Sequence, residues 1–367
     1  MKILYLITKA ERGGAQSVVA DLLRAHKERG DSVVLVSGNY GYLIDESKTL
    51  GFEAKVLSSL GNTFNPFSIY KTYVLLRRFA KKISPDIVSC HSSFAGIVGR
   101  IALGRRYKTI FTAHGIAFTQ GAPLWRKPVA ILAEFVASRF CEKIIAVSEN
   151  DKKTMKRFLL LGDKKIVTVH NGVDVPVDIS FPKKDHFSIT FIGRLVLPKN
   201  PFILIDALDI LKRGGDKMPH LHIVGNGKQF SDLEKMTRDL SLGEYVTFEG
   251  ECDKLKVRSI LRETSLFVLP TKWEGFPITI LEAMAEGCAV LASDVGGIKE
   301  AVKSEVGVLL PRCANAEVWA NNIKKILMNK ESLDRMQQSA YMSAKNNFSK
   351  GMMIEKTFKI YDDVVGK

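Results

Sequence analysis

The stretch LPTKWEGFPITILEAMAEGCAVLASDVGGIKE, residues 269–300, contains the pattern that decides the fold. It begins in a short apolar run, LFVLP, and continues through a polar loop into a helix predicted from Pro277 to Glu286, which Gly287 ends. A second apolar run, AVLAS, follows directly. A strand, a helix and another strand in this order form a βαβ unit, so the stretch predicts parallel strands in an α/β domain.

The same alternation extends from this stretch toward both ends of the chain. Residues 171–186 interrupt it with Pro176, Pro182 and no helical or strand period, so they are predicted to be a linker. The fold class is therefore α/β, with two Rossmann-like domains of mostly parallel strands. The predicted strands are KILYLI, SVVLVS, AKVL, DIVSC, TIFTA, KIIAV and KIVTV before the linker, and SITFIG, LHIV, YVTF, LFVLP, AVLAS and VGVLL after it.

Two domains are expected, over residues 1–176 and 187–350. Residues 351–367 are expected to form a terminal helix that packs back on the N-terminal domain. Folds of this kind bind ligands at the carboxyl ends of their parallel strands. We therefore expect the site in a cleft where these ends of the two sheets face each other.

Composition argues against several classes of protein. The apolar start ILYLI is too short for a secretion signal, and no apolar run approaches the roughly 20 residues of a membrane-spanning helix. The five cysteines are scattered without CxxC or histidine spacing. We expect a cytoplasmic protein with reduced cysteines and neither a metal site nor a cofactor.

Positive charge is concentrated in the N-terminal half. The net charge is +15, and residues 1–180 hold 27 Lys and Arg against 15 Asp and Glu, whereas residues 181–367 hold 27 against 24. Such a field attracts nucleic acid, anionic lipid or phosphorylated substrates. Residues 68–82 and 123–143 are predicted amphipathic helices rich in Lys and Arg. They are either ordinary packed helices or contacts to an anionic membrane; the charge of the domain favours peripheral contact with the inner face of the cytoplasmic membrane.

Two turns carry candidate phosphate-binding groups. In ITKAERGGAQS, Gly13 and Gly14 open a helix whose N-terminus favours an anion, although glycines can also simply permit tight strand–helix packing. This turn lacks the GxGxxG of nicotinamide-binding domains and the GK[ST] of a P-loop. In FIGRLVLPKNP, Arg194 and Lys199 follow a strand, where two cations suit a diphosphate, while either alone could be a solvated surface residue.

The segment EGFPITILE adds two carboxylates. Glu274 precedes the predicted helix, and Glu282 lies on it among apolar neighbours, so we expect Glu282 to be buried with partners rather than solvated. The N–H groups of Phe276 and Ile278 are available to an anion at the helix start, whereas Pro277 has none. Carboxylates for sugar hydroxyls and amides for phosphate would together hold a sugar nucleotide.

This segment resembles the signature of the retaining GT-B-fold glycosyltransferases of family four. The glycine pair, TAHG (112–115), AVSE (146–149), HNGVD (170–174), GRL with its downstream lysine, IVGNG (223–227) and VTFEG (246–250) follow in the family's order, so the resemblance covers essentially the whole chain. It implies catalytic groups at Glu274, His114, Arg194 and Lys199. It implies a donor site formed by Gly13, Gly14, Arg194, Lys199, Gly250, Glu251, Cys252, Glu274, Gly275, Phe276, Pro277, Ile278 and Glu282.

The resemblance also implies a role for each group. Arg194 and Lys199 would bind the donor diphosphate, Glu274 the transferred sugar and Glu282 the ribose. The nucleotide base would lie near residues 250–252, and Gly13 and Gly14 would flank the diphosphate and the acceptor.

Two further positions need interpretation. His114 ends a strand of the N-terminal domain and is expected to contact the donor sugar, whereas His91, which follows DIVSC, is interpreted as structural. Asn200 stands where the family commonly has glycine. Because Asn tolerates a left-handed backbone, the loop is expected to be kept.

The implied activity is a retaining, metal-independent transfer of a hexosyl or N-acetylhexosaminyl group from a nucleotide diphosphate sugar, with a UDP-sugar expected. The implied acceptor is a saccharide or glycolipid of bacterial cell-envelope polysaccharide synthesis. Retention would follow from front-face attack, with the leaving phosphate helping to deprotonate the acceptor. A sugar-nucleotide epimerase of the same fold and a basic nucleic-acid-binding protein are the alternatives. The spacing of the two glutamates favours transfer, and no nucleic-acid-binding motif accompanies the charge.

Overall fold

The computed structural model describes residues 1–61, 65–116, 118, 125–177 and 186–366. It divides the chain into two compact units: unit 1 combines Met1–Asn171 with Lys350–Lys367, and unit 2 is Gly172–Ser349. The middle of the predicted linker, 178–185, lies outside the described residues, as do residues 123 and 124 of an expected helix. Among the described residues, every helix is too short or too polar to span a bilayer.

The described residues of unit 1 form a seven-stranded parallel sheet with the order β3-β2-β1-β4-β5-β6-β7. Its central strands are buried, because helices cover both faces of a parallel sheet. The strands are β1 (Lys2–Ile7), β2 (Ser32–Ser37), β3 (Glu53–Val56), β4 (Ile87–His91), β5 (Lys108–Ala113), β6 (Lys143–Ala146) and β7 (Ile166–Thr168). The helices are α1 (Gly14–Arg29), α2 (Tyr42–Thr49), α3 (Pro66–Ile83), α4 (Ser93–Leu103), α5 (Arg126–Ser138), α6 (Glu149–Leu159) and, from the C-terminus, α14 (Lys350–Val365).

The described residues of unit 2 form a six-stranded parallel sheet with the order β10-β9-β8-β11-β12-β13. The strands are β8 (Ser188–Ile192), β9 (His220–Val224), β10 (Val246–Gly250), β11 (Leu266–Leu269), β12 (Ala289–Ser293) and β13 (Gly307–Leu310). The helices are α7 (Phe202–Arg213), α8 (Phe230–Asp239), α9 (Lys254–Glu263), α10 (Ile278–Ala285), α11 (Ile298–Ala301), α12 (Ala316–Met328) and α13 (Lys330–Asn347).

The predicted α/β class with two parallel sheets is confirmed, and every stretch predicted as a strand contains one. The helix predicted from Pro277 to Glu286 is shorter at both ends. Pro277 has φ of −73° and ψ of 120°, which is an extended conformation, so it precedes α10 rather than opening it. Gly287, with φ of 68°, follows the helix and reverses the chain, as expected of a glycine beyond a helix C-terminus.

The C-terminal helix α14 packs on the first strand and first helix of unit 1. The Arg29 guanidinium pairs with the Asp362 carboxylate at 2.6 Å and lies over the Phe358 ring, 5.1 Å from its centroid. Deeper in the unit, the Tyr361 hydroxyl lies 3.4 Å from the Tyr5 hydroxyl. The last residues of the chain therefore contribute to the core of the unit that contains its first residues.

A buried ion pair joins α4 and α5. Arg100 is fully buried, and its Nη2 donates to Glu134 Oε2 at 2.6 Å. Its Nε donates to the Gly96 carbonyl at 2.7 Å, and the guanidinium stacks on Phe111 at 3.9 Å from the ring centroid. Because both charges are removed from water, each depends on the other for compensation.

We predict that Glu134→Ala lowers the free energy of unfolding by about 3–5 kcal/mol, because it leaves the Arg100 charge buried without its partner. Urea denaturation followed by circular dichroism measures the change. Asp163→Ala is the matched control, since it removes an acidic partner of Lys156 from an exposed pair in the same unit. It should have little effect, and equal losses in the two variants would contradict the assignment.

Candidate active site

The crossovers of the unit 2 sheet reverse direction between β8 and β11, so the loops after these strands leave the same edge side by side. The loop after β8 carries Lys199, and the loop after β11 carries Glu274. Lys199 Nζ donates directly to Glu274 Oε1, and the two side chains are only 18% and 16% exposed. The fold thus brings together two predicted site residues that lie 75 positions apart.

Backbone hydrogen bonds hold the loop that carries Lys199. Leu195 N–H donates to the Asn226 carbonyl in the loop after β9 at 2.9 Å, and Lys199 N–H donates to the Val196 carbonyl at 3.0 Å. Asn200 has φ of 50°, so the left-handed backbone expected at this position is confirmed. The amide side chain therefore does not prevent the tight turn for which glycine is the usual residue.

The loop that carries Glu274 is tied to the Lys199 loop. Lys272 N–H donates to the Pro198 carbonyl at 2.9 Å. Thr271 Oγ1 lies 3.4 Å from both the Pro198 carbonyl oxygen and Glu274 Oε1. Thr271, which was not predicted as a site residue, therefore contacts both the Lys199 loop and the Glu274 carboxylate.

The loop after β12 packs against the backbone of the Glu274 loop. Gly297 N–H donates to the Gly275 carbonyl at 2.8 Å. Gly296 has φ of 58°, and a Cβ atom there would lie 1.8 Å from the Glu274 carbonyl oxygen. Both the backbone conformation and the close approach require glycine at 296. Gly296 was not predicted as a site residue, although the glycine pair two residues after the predicted strand AVLAS was the available signal.

Helix α10 places a carboxylate near its own N-terminus. Ile278 begins the helix, and the N–H groups of its first turn have no carbonyl partner within it. Glu282 lies one turn later on the same half-buried side. Glu282 is therefore half-buried rather than fully buried as expected, while the expectation that it has an interaction partner agrees with the structure. The buried carboxylate is Glu286, which is 5% exposed and pairs with Arg258 Nε at 2.6 Å and Arg262 Nε at 3.1 Å.

The residues just before α10 are more buried than the carboxylates beside them. Phe276 is 4% exposed, and its ring packs against Phe348 with a centroid distance of 5.5 Å. Pro277 is also buried. Their side chains therefore fix the start of the helix, and any contact they make with a ligand would have to use the backbone.

The remaining predicted donor residues of unit 2 lie at the same edge of its sheet. Arg194 is exposed, and within the part of the chain that the structure describes it pairs with no carboxylate. Gly250, with φ of 67°, ends β10 and accepts a hydrogen bond from Gly225 N–H at 2.7 Å. Glu251 is exposed and Cys252 is half-buried, with burial raising the pKa of its thiol.

The unit 1 sheet has an equivalent reversal between β1 and β4. Ser92, directly after β4, has φ of 67°, which is unusual for serine. Its Oγ accepts from Thr8 N–H at 3.0 Å, and Thr8 Oγ1 accepts from Ala95 N–H at 3.1 Å. Backbone strain of this kind is concentrated at functional sites. Thr8 and Ser92 were not predicted as site residues, because no sequence motif marks them.

Gly13 and Gly14 are exposed at the start of α1. A Cβ atom at Gly13 would meet only the amide end of the flexible Gln16 side chain, at 2.7 Å. Tight packing therefore does not explain this glycine. Because Gly13 has no side chain, the backbone at the N-terminus of α1 is exposed, and a helix N-terminus carries partial positive charge.

The two histidines of unit 1 are in contact. His91 is fully buried, and its Nδ1 lies 2.9 Å from Nε2 of the half-buried His114. Burial lowers the pKa of His114 to about 4, and it lowers the pKa of His91 well below its usual value, with the neighbouring His114 as the second cause. Both imidazoles are therefore neutral near pH 7.

Comparison with known families agrees with this geometry. Residues 12–176 match the model for Glycosyltransferase Family 4, and residues 177–343 match the model for Glycosyl transferases group 1. The chain is a GT-B glycosyltransferase of family 4.

Several known proteins are similar to this glycosyltransferase. The chain is 28% identical over 311 residues to a UDP-Gal:alpha-D-GlcNAc-diphosphoundecaprenol alpha-1,3-galactosyltransferase of Escherichia coli, with 80% of each chain covered. It is 25% identical to the capsular polysaccharide biosynthesis glycosyltransferase CapH of Staphylococcus aureus, covering 91% of this chain and 92% of that one. The crystal structure of Anabaena Alr3699/HepE in complex with UDP-glucose has a TM-score of 0.81 and 21% identity, covering 99% of this glycosyltransferase and all of that chain.

We predict that Gly296→Ala lowers the stability of the glycosyltransferase by about 2–4 kcal/mol, because the new Cβ clashes with the Glu274 carbonyl and the left-handed backbone disfavours alanine. The thermal unfolding midpoint, measured by scanning calorimetry, should fall. Gly243→Ala is the matched control, since a Cβ there meets nothing within 4 Å. An unchanged midpoint in Gly296→Ala would contradict the packing described here.

Proposed function

We propose that this glycosyltransferase moves a hexosyl or N-acetylhexosaminyl group, with retention of configuration, from a UDP-sugar to a saccharide or lipid-linked acceptor in bacterial envelope polysaccharide synthesis. The contact between Lys199 and Glu274 is the observation that carries the proposal. It places a cation and a carboxylate together at the position in a parallel sheet where ligands of such folds bind. The two groups suit different parts of a sugar nucleotide. A diphosphate attracts the Lys199 ammonium, and sugar hydroxyls can donate hydrogen bonds to the Glu274 carboxylate.

The donor diphosphate is proposed to bind beside three positive elements. Arg194 is exposed and has no ion-pair partner among the described residues, so its guanidinium is available for bidentate contact with phosphate oxygens. Lys199 contributes a second charge, and the N-terminus of α10 contributes the N–H groups of its first turn. When a diphosphate attracts Lys199, Glu274 becomes free to accept hydrogen bonds from the sugar.

The rest of the donor is proposed to follow the edge of the unit 2 sheet. Glu282, half-buried one turn into α10, is placed to accept hydrogen bonds from the ribose hydroxyls. Residues 250–252, after β10, would contact the base through backbone groups. In unit 1, the donor sugar is proposed to contact His114, and the bare helix start at Gly13 and Gly14 to contact the diphosphate and the acceptor.

The reaction breaks the bond between the anomeric carbon and the diphosphate oxygen, and the electron pair leaves with the nucleoside diphosphate. The acceptor oxygen forms its bond on the same face of the sugar, and its proton passes to the leaving phosphate. Arg194, Lys199 and the helix amides stabilise the charge that grows on this leaving group, so the proposal assigns the stabilisation to protein groups rather than to a metal ion. Configuration is retained because entry and departure use one face.

The substrate classes in the proposal come from the similar proteins. The name of the Escherichia coli relative specifies a UDP-galactose donor and a diphosphoundecaprenol-linked acceptor. The structure similar in fold was solved with UDP-glucose. The epimerase and nucleic-acid-binding alternatives gain no support from the matched families, which are transferases.

We also propose that unit 1 binds the anionic inner face of the cytoplasmic membrane through α5, which would place the protein in the cytoplasm. Trp125, Val129, Leu132 and Val136 follow at helical spacing on one side and are 70%, 61%, 64% and 41% exposed. The opposite side of the helix is anchored by the buried Glu134. An exposed apolar stripe of this length marks an interaction surface rather than an ordinary solvated helix face.

Charge favours lipid as the partner of this stripe. Arg126 and Lys127 begin α5, and the Arg126 guanidinium lies 4.7 Å from the centre of the Trp125 ring. Each basic residue near an anionic surface adds about 1 kcal/mol of attraction. An amphipathic surface of this type suits an enzyme whose acceptor is carried by a lipid.

Glu274→Gln and Arg194→Ala are predicted to lower kcat for sugar transfer by about 10²–10³-fold each, because each removes a charge at the reacting diphosphate sugar. Release of nucleoside diphosphate from a panel of UDP-, GDP- and ADP-sugars, with a lipid-linked saccharide acceptor, measures the change. Glu331→Gln and Arg335→Ala are matched controls, because these residues form an exposed ion pair in α13. Wild-type protein that releases no diphosphate from any donor would contradict the proposed function.

Trp125→Ser combined with Leu132→Ser is predicted to reduce sedimentation with vesicles of phosphatidylglycerol by about tenfold or more, since it removes two apolar anchors. Vesicles of phosphatidylcholine alone should bind the wild type weakly. The control is Leu255→Ser with Met328→Ser, which removes exposed apolar side chains from unit 2. Equal binding by the two double variants would rule out α5 as the membrane contact.

A further inference from the structure

A continuous line of buried polar side chains leads from the C-terminal helix to His114. The Tyr361 hydroxyl lies 2.5 Å from Ser89 Oγ, and Ser89 Oγ lies 2.9 Å from His91 Nε2. His91 Nδ1 in turn lies 2.9 Å from His114 Nε2. Tyr361, Ser89 and His91 are completely buried, so solvent does not contact these three side chains.

The direction of hydrogen bonding along this line decides which His114 nitrogen carries hydrogen. Both imidazoles are neutral near pH 7, because burial lowers their pKa values. A neutral imidazole has one N–H and one acceptor nitrogen, so one histidine must donate to the other. If His91 donates from Nδ1, then His114 accepts at Nε2 and holds its hydrogen on Nδ1. If His114 donates, its Nδ1 is bare.

The partners of Tyr361 select between these two arrangements. A phenol is a stronger hydrogen-bond donor than an aliphatic hydroxyl, and burial raises the pKa of Tyr361 to about 12, so it keeps its proton. If Tyr361 donates to Ser89, the phenol proton lies in a short hydrogen bond of 2.5 Å between the two oxygens. If Ser89 donates instead, the only other oxygen among the described residues near the Tyr361 proton is that of Tyr5 at 3.4 Å, which is beyond the usual range for two hydroxyls.

The Tyr5 hydroxyl is already engaged on its other side. His26 Nδ1 lies 2.8 Å from the Asp31 carboxylate, which can only accept, so the neutral His26 donates there and its Nε2 is an acceptor. Tyr5 donates to this Nε2 at 2.9 Å. The Tyr5 proton is therefore already used in the bond to His26, and Tyr5 cannot also donate to Tyr361.

We propose that Tyr361, acting through Ser89 and His91, holds His114 as the Nδ1–H tautomer, so that His114 is a hydrogen-bond donor to an oxygen of the donor sugar and not a base. Tyr361, Ser89 and His91 are positioning residues, because they act through His114. Among the described residues, Nδ1 of His114 has no hydrogen-bond partner. The inference rests on the proposed function for the identity of the ligand, and on the geometry of unit 1 alone for the tautomer.

Nuclear magnetic resonance of the full-length protein, labelled with ¹⁵N at histidine and without ligand, tests the tautomer directly. His91 and His114 should both carry hydrogen on Nδ1 in the wild type, because His91 donates and His114 accepts in the favoured arrangement. Tyr361→Phe should convert a large share of both residues to the Nε2–H form. Nε2–H tautomers in the wild type would overturn the proposal, whether or not the protein proves to be a transferase.

Tyr5→Phe is the matched control for this measurement. It removes an equally buried phenol hydroxyl close to Tyr361 and retains the ring that stacks on His91 at 5.3 Å. Because Tyr5 is not in the line that leads to His114, both histidines should remain Nδ1–H. A shift as large as that in Tyr361→Phe would assign the effect to general loosening of the core and overturn the proposal.

Kinetics separate positioning from a purely structural role. Tyr361→Phe should lower kcat/KM for the donor sugar by about tenfold, the worth of one hydrogen bond to a reacting group. In a His114→Ala background the same substitution should change kcat/KM by less than about twofold, because the group through which it acts is gone. If the losses in kcat/KM caused by Tyr361→Phe and His114→Ala multiply in the double variant, the proposal is overturned.

Discussion

The reversal of crossover direction in a parallel sheet is the constraint on which the rest of this protein depends. Parallel strands place all their carboxyl ends at one edge, and the loops separate where successive crossovers turn to opposite sides. In unit 2 this happens between β8 and β11, which brings Lys199 and Glu274 into contact. In unit 1 it happens between β1 and β4, where Ser92 and Thr8 join the two loops. The strand order of each sheet therefore determines which loops, and which of their side chains, meet.

Local sequence was sufficient to predict the strands and the neighbourhood of the site, because apolar runs and their polar loops are local patterns. It was insufficient wherever a contact joined distant segments. Glu282 appeared buried because its neighbours along the chain are apolar, yet it shares the half-buried side of α10 with Ile278. The carboxylate that is buried, Glu286, is compensated by Arg258 and Arg262 of another helix, and no helical period reveals such a pair.

The role of His91 shows the same limit more sharply. Its position after a strand gave no reason to select it over any packed histidine, and its burial agrees with a structural role. Its partners are Ser89, two residues away, His114, 23 residues away, and through Ser89 the Tyr361 hydroxyl, 272 residues from that serine. Only the folded unit brings the C-terminal helix beside the β4 strand, so a connection between Tyr361 and His114 cannot be found from sequence spacing.

A neutral His114 that donates a hydrogen bond constrains the rest of the mechanism. If its Nδ1 carries hydrogen and its Nε2 is engaged by His91, this imidazole has no free nitrogen with which to accept the acceptor's proton. Glu274 is paired with Lys199, and in the proposed complex its carboxylate would be engaged by the sugar. In the proposed reaction, the basic oxygen that remains next to the reacting carbon would be the one created when the diphosphate departs. In the proposed reaction, Arg194 and Lys199 would stabilise that oxygen, and transfer of the acceptor's proton to it on the same face of the sugar would be the route to retention that these side chains leave open.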